Sequence, residues 1–291
     1  MRHSSNYSKI IAGCMTWGNG GGGLSLNEMI RGIHQCLDFG ISTFDHADIY
    51  GGYTTEAHFG RAYLESGVAR EKVQFISKCG IQYPSESRPF RVKHYQYDKS
   101  YIVKSVEQSL RNLNTEYLDV LLLHRPSPLM DPETVAEAIF TLRESGKVLS
   151  FGVSNFSPSQ VALISSAIEI EAHQFECSLS SREALFNGVL DDCIRHKRFA
   201  MAWSPLGNFF KNVGDSNTPI SQTLHRIGER YDASKSQILL AWLMHHPAQI
   251  HPVIGTTKAD RQKEALAALN INLELEDWFE LLESAQGHQV P

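Results

Sequence analysis

Residues Thr43 to Gly52 read TFDHADIYGG, a passage that begins as a strand and ends as a loop carrying reactive groups. Ile41, Thr43 and Phe44 favour extended structure because branched and aromatic side chains fit a pleated surface. Gly51-Gly52 then turns the chain directly after Tyr50. Two carboxylates and a phenol therefore crowd the C-terminal end of a strand, where barrel and open α/β enzymes carry their chemistry.

On both sides of this passage, short apolar runs alternate with stretches of helical period, and no shift in composition marks a boundary. Eight such units are counted in what reads as one domain, residues 1–291. Besides the quoted passage, strands are predicted at Ile10–Met15, Val73–Cys79, Tyr117–His124, Val148–Val153, Glu171–Cys177, Phe199–Trp203 and Pro252–Gly255. Helices are predicted between them, among them Ser25–Phe39 ended by Gly40 and Pro132–Ser145 with Asp131 as N-cap and Gly146 as stop. Two helical segments precede the last strand and two follow it. Parallel strands need covered faces and a ring removes sheet edges, so the pattern predicts a (β/α)₈ TIM barrel with extra helices outside the ring. A doubly wound open sheet is the alternative.

The 291 residues, 42% hydrophobic and 20% charged, suffice for a substantial core. A net charge of -5 with scattered cations offers no field for nucleic acid. Five cysteines without a CxxC pair suggest neither a disulfide framework nor a zinc knuckle, and fit a reducing cytoplasm. Met1 to Lys9 is polar, no apolar run reaches the length of a membrane span, and no apolar patch demands a partner. A cytoplasmic monomer with no membrane or nucleic-acid partner is expected.

Gly18 to Gly23 satisfies GxGxxG, but a run of glycines matches that pattern by chance, and a flexible loop at a barrel mouth explains it equally well. The strand ends say more. Asp45 and Tyr50 follow the second strand, Lys78 ends the third and His124 the fourth. A lone lysine or histidine there reads as an ion pair or a satisfied core residue. Four converging groups have a chemical logic: a tyrosine is a poor proton donor near neutrality unless a cation stabilises its phenolate. Lys78 supplies the charge, Asp45 holds Lys78, and His124 orients a carbonyl. Asp48 is left as a structural brace of the loop.

These motifs resemble the aldo-keto reductase family, most closely its bacterial YdhF-like branch, from Ile10 to the C-terminus. The resemblance implies a (β/α)₈ barrel using NADP(H), with the tetrad roles on Asp45 and Tyr50 of DHADIYG, Lys78 of SKCG and His124 of LLLHRP. It also implies cofactor contacts at Thr16 and Trp17, at Ser154 and Asn155 of GVSNF, and at Gln174 of HQFE. Trp203 of AWSPLG would stack on the nicotinamide, with Ser204, Pro205 and Leu206 along the pyrophosphate. Gly255, Thr256, Thr257, Lys258 and Arg261 resemble the adenosine 2′-phosphate site. Hydroxyls, cations and a helix N-terminus suit a phosphate, although read alone they are equally an N-cap and surface charges. Met15, His46 and Ala265 depart from the family pattern without touching the tetrad.

The implied activity is reduction of an aldehyde or ketone, a small-molecule carbonyl substrate, with no metal. A metal-dependent hydrolase using Asp45, His46, Asp48 and His124 is disfavoured, because neighbouring strand residues face opposite ways. An NADPH-binding regulatory subunit with little turnover is the other alternative. Substrate choice rests on loops 19–24, 81–99 and 208–219. There Tyr83, Phe90, Tyr95 and Phe209 either build an apolar pocket or anchor their loops.

Overall fold

The computed structural model describes residues 7–18, 21–85, 88–210 and 218–291. In chain order the elements are β1 (Ile11–Gly13), α1 (Leu26–Asp38), β2 (Thr43–Asp45), α2 (Tyr50–Tyr53), α3 (Thr55–Ser66) and β3 (Gln74–Cys79). Then come β4 (Ile81–Gln82), β5 (His94–Tyr95), α4 (Lys99–Leu113), β6 (Leu118–Leu123), α5 (Pro132–Glu144), β7 (Val148–Ser154) and α6 (Pro158–Ser165). The chain continues through β8 (Ala172–Glu176), α7 (Glu183–Phe186), α8 (Val189–His196) and β9 (Phe199–Trp203). It ends with α9 (Pro219–Arg230), α10 (Lys235–Met244), β10 (His251–Ile254), α11 (Ala259–Ala267) and α12 (Leu275–Gln286).

Eight parallel strands close into a barrel in the order β1-β10-β9-β8-β7-β6-β3-β2, which excludes the open sheet. Ala12 closes the ring, opposite Phe44 of β2 on one side and Ile254 of β10 on the other. All six residues of β6 are buried, as a strand covered on both faces requires. Their alternation sorts them into two cores. Val120 and Leu122 join Ile11, Ile76, Phe199 and Met201 in the barrel interior, whereas Leu121 and Leu123 pack with the helical layer. Tyr7 stacks on Phe199 at 4.3 Å and covers the end of the interior opposite the strand C-termini.

The polar stretch 81–99, expected as a loop, holds a short antiparallel pair, Ile81 opposite Tyr95 and Gln82 opposite His94. Gly80, just before it, has φ +116° and lies so close to Tyr97 that a Cβ would meet its ring at 2.2 Å, so only glycine fits. The expected caps are present: Asp131 accepts from the Thr134 backbone N–H, and Gly146 takes φ +71° after α5. Capping boxes at Ser25, Ser157 and Ser234 also fix the starts of α1, α6 and α10.

The surplus helices lie outside the ring. There α12 is held on α10 by Trp242 and Trp278, whose rings stack at 5.0 Å with an interplanar angle of 11°. Each indole N–H donates to the other's backbone carbonyl, at 3.1 and 3.0 Å. Among the described residues, no helix is long and apolar enough to cross a membrane.

Candidate active site

The C-terminal ends of β1, β2, β7, β8, β9 and β10, with His124 just after β6, face one cavity of about 880 Å³. At its base, Asp45 ends β2, and Lys78 on β3 reaches it from the neighbouring strand. The Lys78 ammonium lies 2.8 and 2.7 Å from the two Asp45 carboxylate oxygens, 2.8 Å from the His46 carbonyl and 3.2 Å from the Tyr50 hydroxyl. Tyr50 is brought there by α2, whose Gly51 and Gly52 have φ +59° and +64°, values that favour glycine. The ammonium has protons only to give, so the Tyr50 oxygen accepts and its own proton is left for the cavity.

Burial favours the neutral phenol and pushes Tyr50 above its ordinary value, with Lys78 offsetting part of the effect. The cation beside Tyr50 therefore does not make it a phenolate at rest. Burial alone would lower Lys78, but the charge of Asp45 and the hydrogen bonds to Asp45 and the Tyr50 hydroxyl outweigh it and hold the ammonium protonated.

His124 follows β6, its ring edge-on to Tyr50 with centroids 6.1 Å apart. Burial, then the charges of Lys78, Arg125 and Lys93, drive its imidazole well below the ordinary value, so it is neutral near pH 7. Its Nδ1 is buried without a hydrogen-bond partner among the described residues.

A second group of side chains lines the adjoining wall. Gln174 on β8 donates to Asp45 Oδ1 at 2.9 Å. Asn155, with φ +64°, donates to the Ser154 hydroxyl at 2.7 Å and to the His124 carbonyl at 3.3 Å. Its own carbonyl accepts the indole N–H of Trp203 at 2.9 Å. Ser204, Pro205 and Leu206 continue the wall, and Thr16, Gly255, Thr256 and Arg261 form its far part. Thr16 bridges the rim by donating to the Gly255 carbonyl at 2.8 Å.

Three residues expected at the cofactor lie off this wall. Trp17 is buried in the helical core, its ring 6.1 Å from Phe44 and 5.6 Å from Phe59, because the chain turns after Cys14–Thr16 and sends the indole behind β2. The Thr257 carbonyl accepts from Gln35 of α1 at 3.1 Å. Lys258 is the exposed N-cap of α11. Lys78 also lies beneath the cavity surface, where its ammonium meets the Tyr50 hydroxyl.

The sequence reading passed over Arg125, Lys235 and Glu264, which line the cavity. Each carried a signal: Arg125 follows His124, Lys235 sits inside the Ser234 capping box, and Glu264 is one helical turn from Arg261. Glu264 accepts from the Ser234 and Ser236 hydroxyls, and Lys235 donates to Ser221 at 2.8 Å. Of the candidate pocket aromatics, Tyr83, Phe90, Tyr95 and Phe209 are absent from the lining, which Phe210 enters instead. Phe90 meets His94 edge-on, while Tyr95 and Phe209 pack against the core clusters.

The other readings meet geometry as well. The His46 ring packs 4.3 Å from Phe59 in the core, on the opposite side of β2 from Asp45, so the two do not converge as metal ligands. In the glycine run, Asn19 and Gly20 lie outside the described residues. The N–H groups of Gly21, Gly22 and Gly23 point to the carbonyls of Gly18, Thr16 and Gly18 and are not turned toward a phosphate.

Residues 9–285 match the sequence profile of the aldo/keto reductase family. The chain belongs to the aldo/keto reductase family. It is 42% identical to the oxidoreductase YcsN of Bacillus subtilis and 38% identical to the oxidoreductase YdhF of Escherichia coli. Each alignment covers 98% of this chain and 96% of the relative. A 6-dehydroglucose reductase of Agrobacterium fabrum is 40% identical over 89% of this chain and 88% of its own length. These similarities place this aldo/keto reductase with the YdhF-like oxidoreductases.

Proposed function

We propose that this oxidoreductase reduces an aldehyde or ketone with NADPH, with Tyr50 as proton donor. The observation that carries the reading is the chain of contacts from Asp45 through Lys78 to the Tyr50 hydroxyl, at 2.7 and 3.2 Å, directly beneath the cavity. Asp45 holds the ammonium. The ammonium occupies one lone pair of the phenol, which leaves the phenolic proton directed at a carbonyl oxygen and stabilises the oxygen as the proton departs. The neutral His124 ring offers a second hydrogen bond that orients the carbonyl.

The wall suits a nicotinamide dinucleotide in chemistry as well as extent. Ser154, Asn155 and Gln174 present amide and hydroxyl groups, Trp203 an aromatic face, and Arg261 at the start of α11 a cation for phosphate. Bound there, the cofactor would supply the hydride. Asn155, fixed by Trp203 and His124, would set the ring's orientation, and Ala265 leaves open the space where a larger side chain would meet adenine. The Glu264 carboxylate, in the same wall as Arg261, accepts hydrogen bonds from the Ser234 and Ser236 hydroxyls. The Agrobacterium relative's name makes a sugar-derived aldehyde one carbonyl worth assaying.

Tyr50→Phe tests the reading. It should lower kcat/KM for a good carbonyl substrate by about 10²-fold or more while NADPH still quenches protein fluorescence with its normal dissociation constant. Near-normal NADPH consumption by the variant would end the assignment. A wild-type protein that binds NADPH yet turns over no aldehyde, ketone or quinone would favour a regulatory subunit instead.

A further inference from the structure

Arg125 is a half-buried cation that faces no anion among the described residues. The guanidiniums of Arg70, Arg143 and Arg198 each face a carboxylate, from Asp119, Glu171 and Asp192, and those of Arg88 and Arg182, also half-buried, donate to the Gln82 side-chain carbonyl and the Leu179 backbone carbonyl. Among the described residues Arg125 has no ion pair, and its guanidinium lies over the Trp203 ring, 5.8 Å from the centroid, in the cavity wall. A partly desolvated charge left unpaired is costly. Such a group persists where a ligand completes it.

Its position is built. The Tyr97 hydroxyl donates to the Arg125 carbonyl at 2.5 Å and lies 3.3 Å from the Arg125 backbone N–H. Tyr97 is in turn seated against Gly80, where no larger residue fits. The root of the Arg125 side chain is thus pinned beside His124, at the end of the cavity where the carbonyl must sit. The surrounding charge has the same sign. Lys78, Arg125 and the exposed Lys93 all act on His124, and among the described residues Lys78 is the one of these that faces a carboxylate, Asp45.

We propose that the carbonyl substrate carries an anionic oxygen group, a carboxylate or phosphate, received by the Arg125 guanidinium while Tyr50 and His124 hold the carbonyl. The proposal rests on the reductase reading of the site. A guanidinium fork matches either anion by paired hydrogen bonds. A neutral polyhydroxylated aldehyde would accept hydrogen bonds there but would leave the guanidinium charge uncompensated.

The test compares 4-carboxybenzaldehyde with its neutral methyl ester and with glyceraldehyde in wild type, Arg125→Met and Arg125→Lys. In parallel, calorimetry measures binding of 4-(hydroxymethyl)benzoate and its methyl ester to the same proteins in the presence of NADP. The carboxylate should be preferred over its ester by about tenfold or more in wild type, in kcat/KM and in affinity, as expected for charge-assisted hydrogen bonds. Arg125→Met should remove that preference and Arg125→Lys should restore part of it. Equal use of carboxylate and ester by wild type, glyceraldehyde as the best substrate, or an equal loss on both members of the pair in Arg125→Met would each overturn the proposal. Selective carboxylate binding that depends on Arg125, without turnover of any carbonyl, would support the anion site and sink the reductase reading alone.

Discussion

Gln174 donates a hydrogen bond of 2.9 Å to Asp45 Oδ1, joining β8 to β2 across the mouth of the barrel. The same carboxylate oxygen receives the Lys78 ammonium. A side chain assigned by family resemblance to the nicotinamide amide is therefore also a partner of the carboxylate that holds Lys78 against Tyr50. Gln174→Leu should lower both NADPH affinity and kcat, with kcat/KM falling about 10- to 100-fold for the loss of a bond to a charged group. Fluorescence titration and steady-state rates separate the two effects. A change confined to NADPH affinity would show that the link to Asp45 has no part in the chemistry.

Removing Lys78 should cost stability as well as activity. Asp45 is 2% exposed, and Lys78→Met would leave its charge buried with Gln174 as the remaining side-chain donor. Breaking a buried pair in this way costs about 3–5 kcal/mol, and Gln174 places the loss toward the lower end. Urea unfolding at pH 7 measures it. The double variant Asp45→Asn, Lys78→Met should recover most of the loss; if it is as unstable as the single variant, the ion pair is not the cause.

Asp48 should matter to stability through pH. Burial, with the charge of Glu56 adding to it, lifts its carboxyl to about 7, while Tyr101 and Ser105 donate to it at 3.3 and 3.2 Å. An unfolded aspartate releases its proton near about 4, so between these values the native state binds the extra proton and this group's contribution falls as pH rises. Asp48→Asn keeps an acceptor for both hydroxyls and cannot ionise. Its unfolding midpoint should gain on wild type between pH 4.5 and 7.5, while carbonyl turnover changes less than it does in Tyr50→Phe. A constant difference across that range would contradict the titration.

His46 acts with the opposite sign. Its imidazole is buried among Phe59 and Phe75 with neither ring nitrogen partnered among the described residues. Burial, then Lys78, depresses it to about 3. The unfolded chain takes up this proton below about pH 6.5, so wild type loses stability as pH falls from there toward 3. His46→Leu should be more stable relative to wild type at pH 4 than at pH 8 in thermal melts. The acid decline would be reduced, not abolished, because His173 and His251 are each depressed to about 4.

The barrel was readable because its strands carry their own instructions. The nearly continuous apolar run of β6, broken by Asp119, and polar residues placed where Asp45, Lys78 and His124 end their strands, locate both the ring and the groups that converge at its mouth without tertiary information. The hairpin around Gly80 was not readable, since its strands are two residues each and their pairing depends on Tyr97 filling the space above a glycine. Trp17 misled for a related reason. Its neighbour Thr16 reaches the rim, but the turn between them directs the indole to Phe44 and Phe59, a choice made by packing. Arg125 was visible beside His124, yet its significance lies in the carboxylate it lacks, and only the folded neighbourhood reveals that.

Of the four tryptophans, Trp203 alone stands in the cavity wall. Trp17 is enclosed by phenylalanines, and Trp242 and Trp278 are locked to each other on the outside of the ring. The protein consequently carries two separate optical channels. Emission from Trp203 should respond to any ring or anion that enters the cavity, with no substrate consumed. The stacked pair should stay silent until α12 leaves α10, so ligand occupancy and loss of the outer helical layer can be followed in one cuvette, with Trp203→Phe assigning each signal to its source.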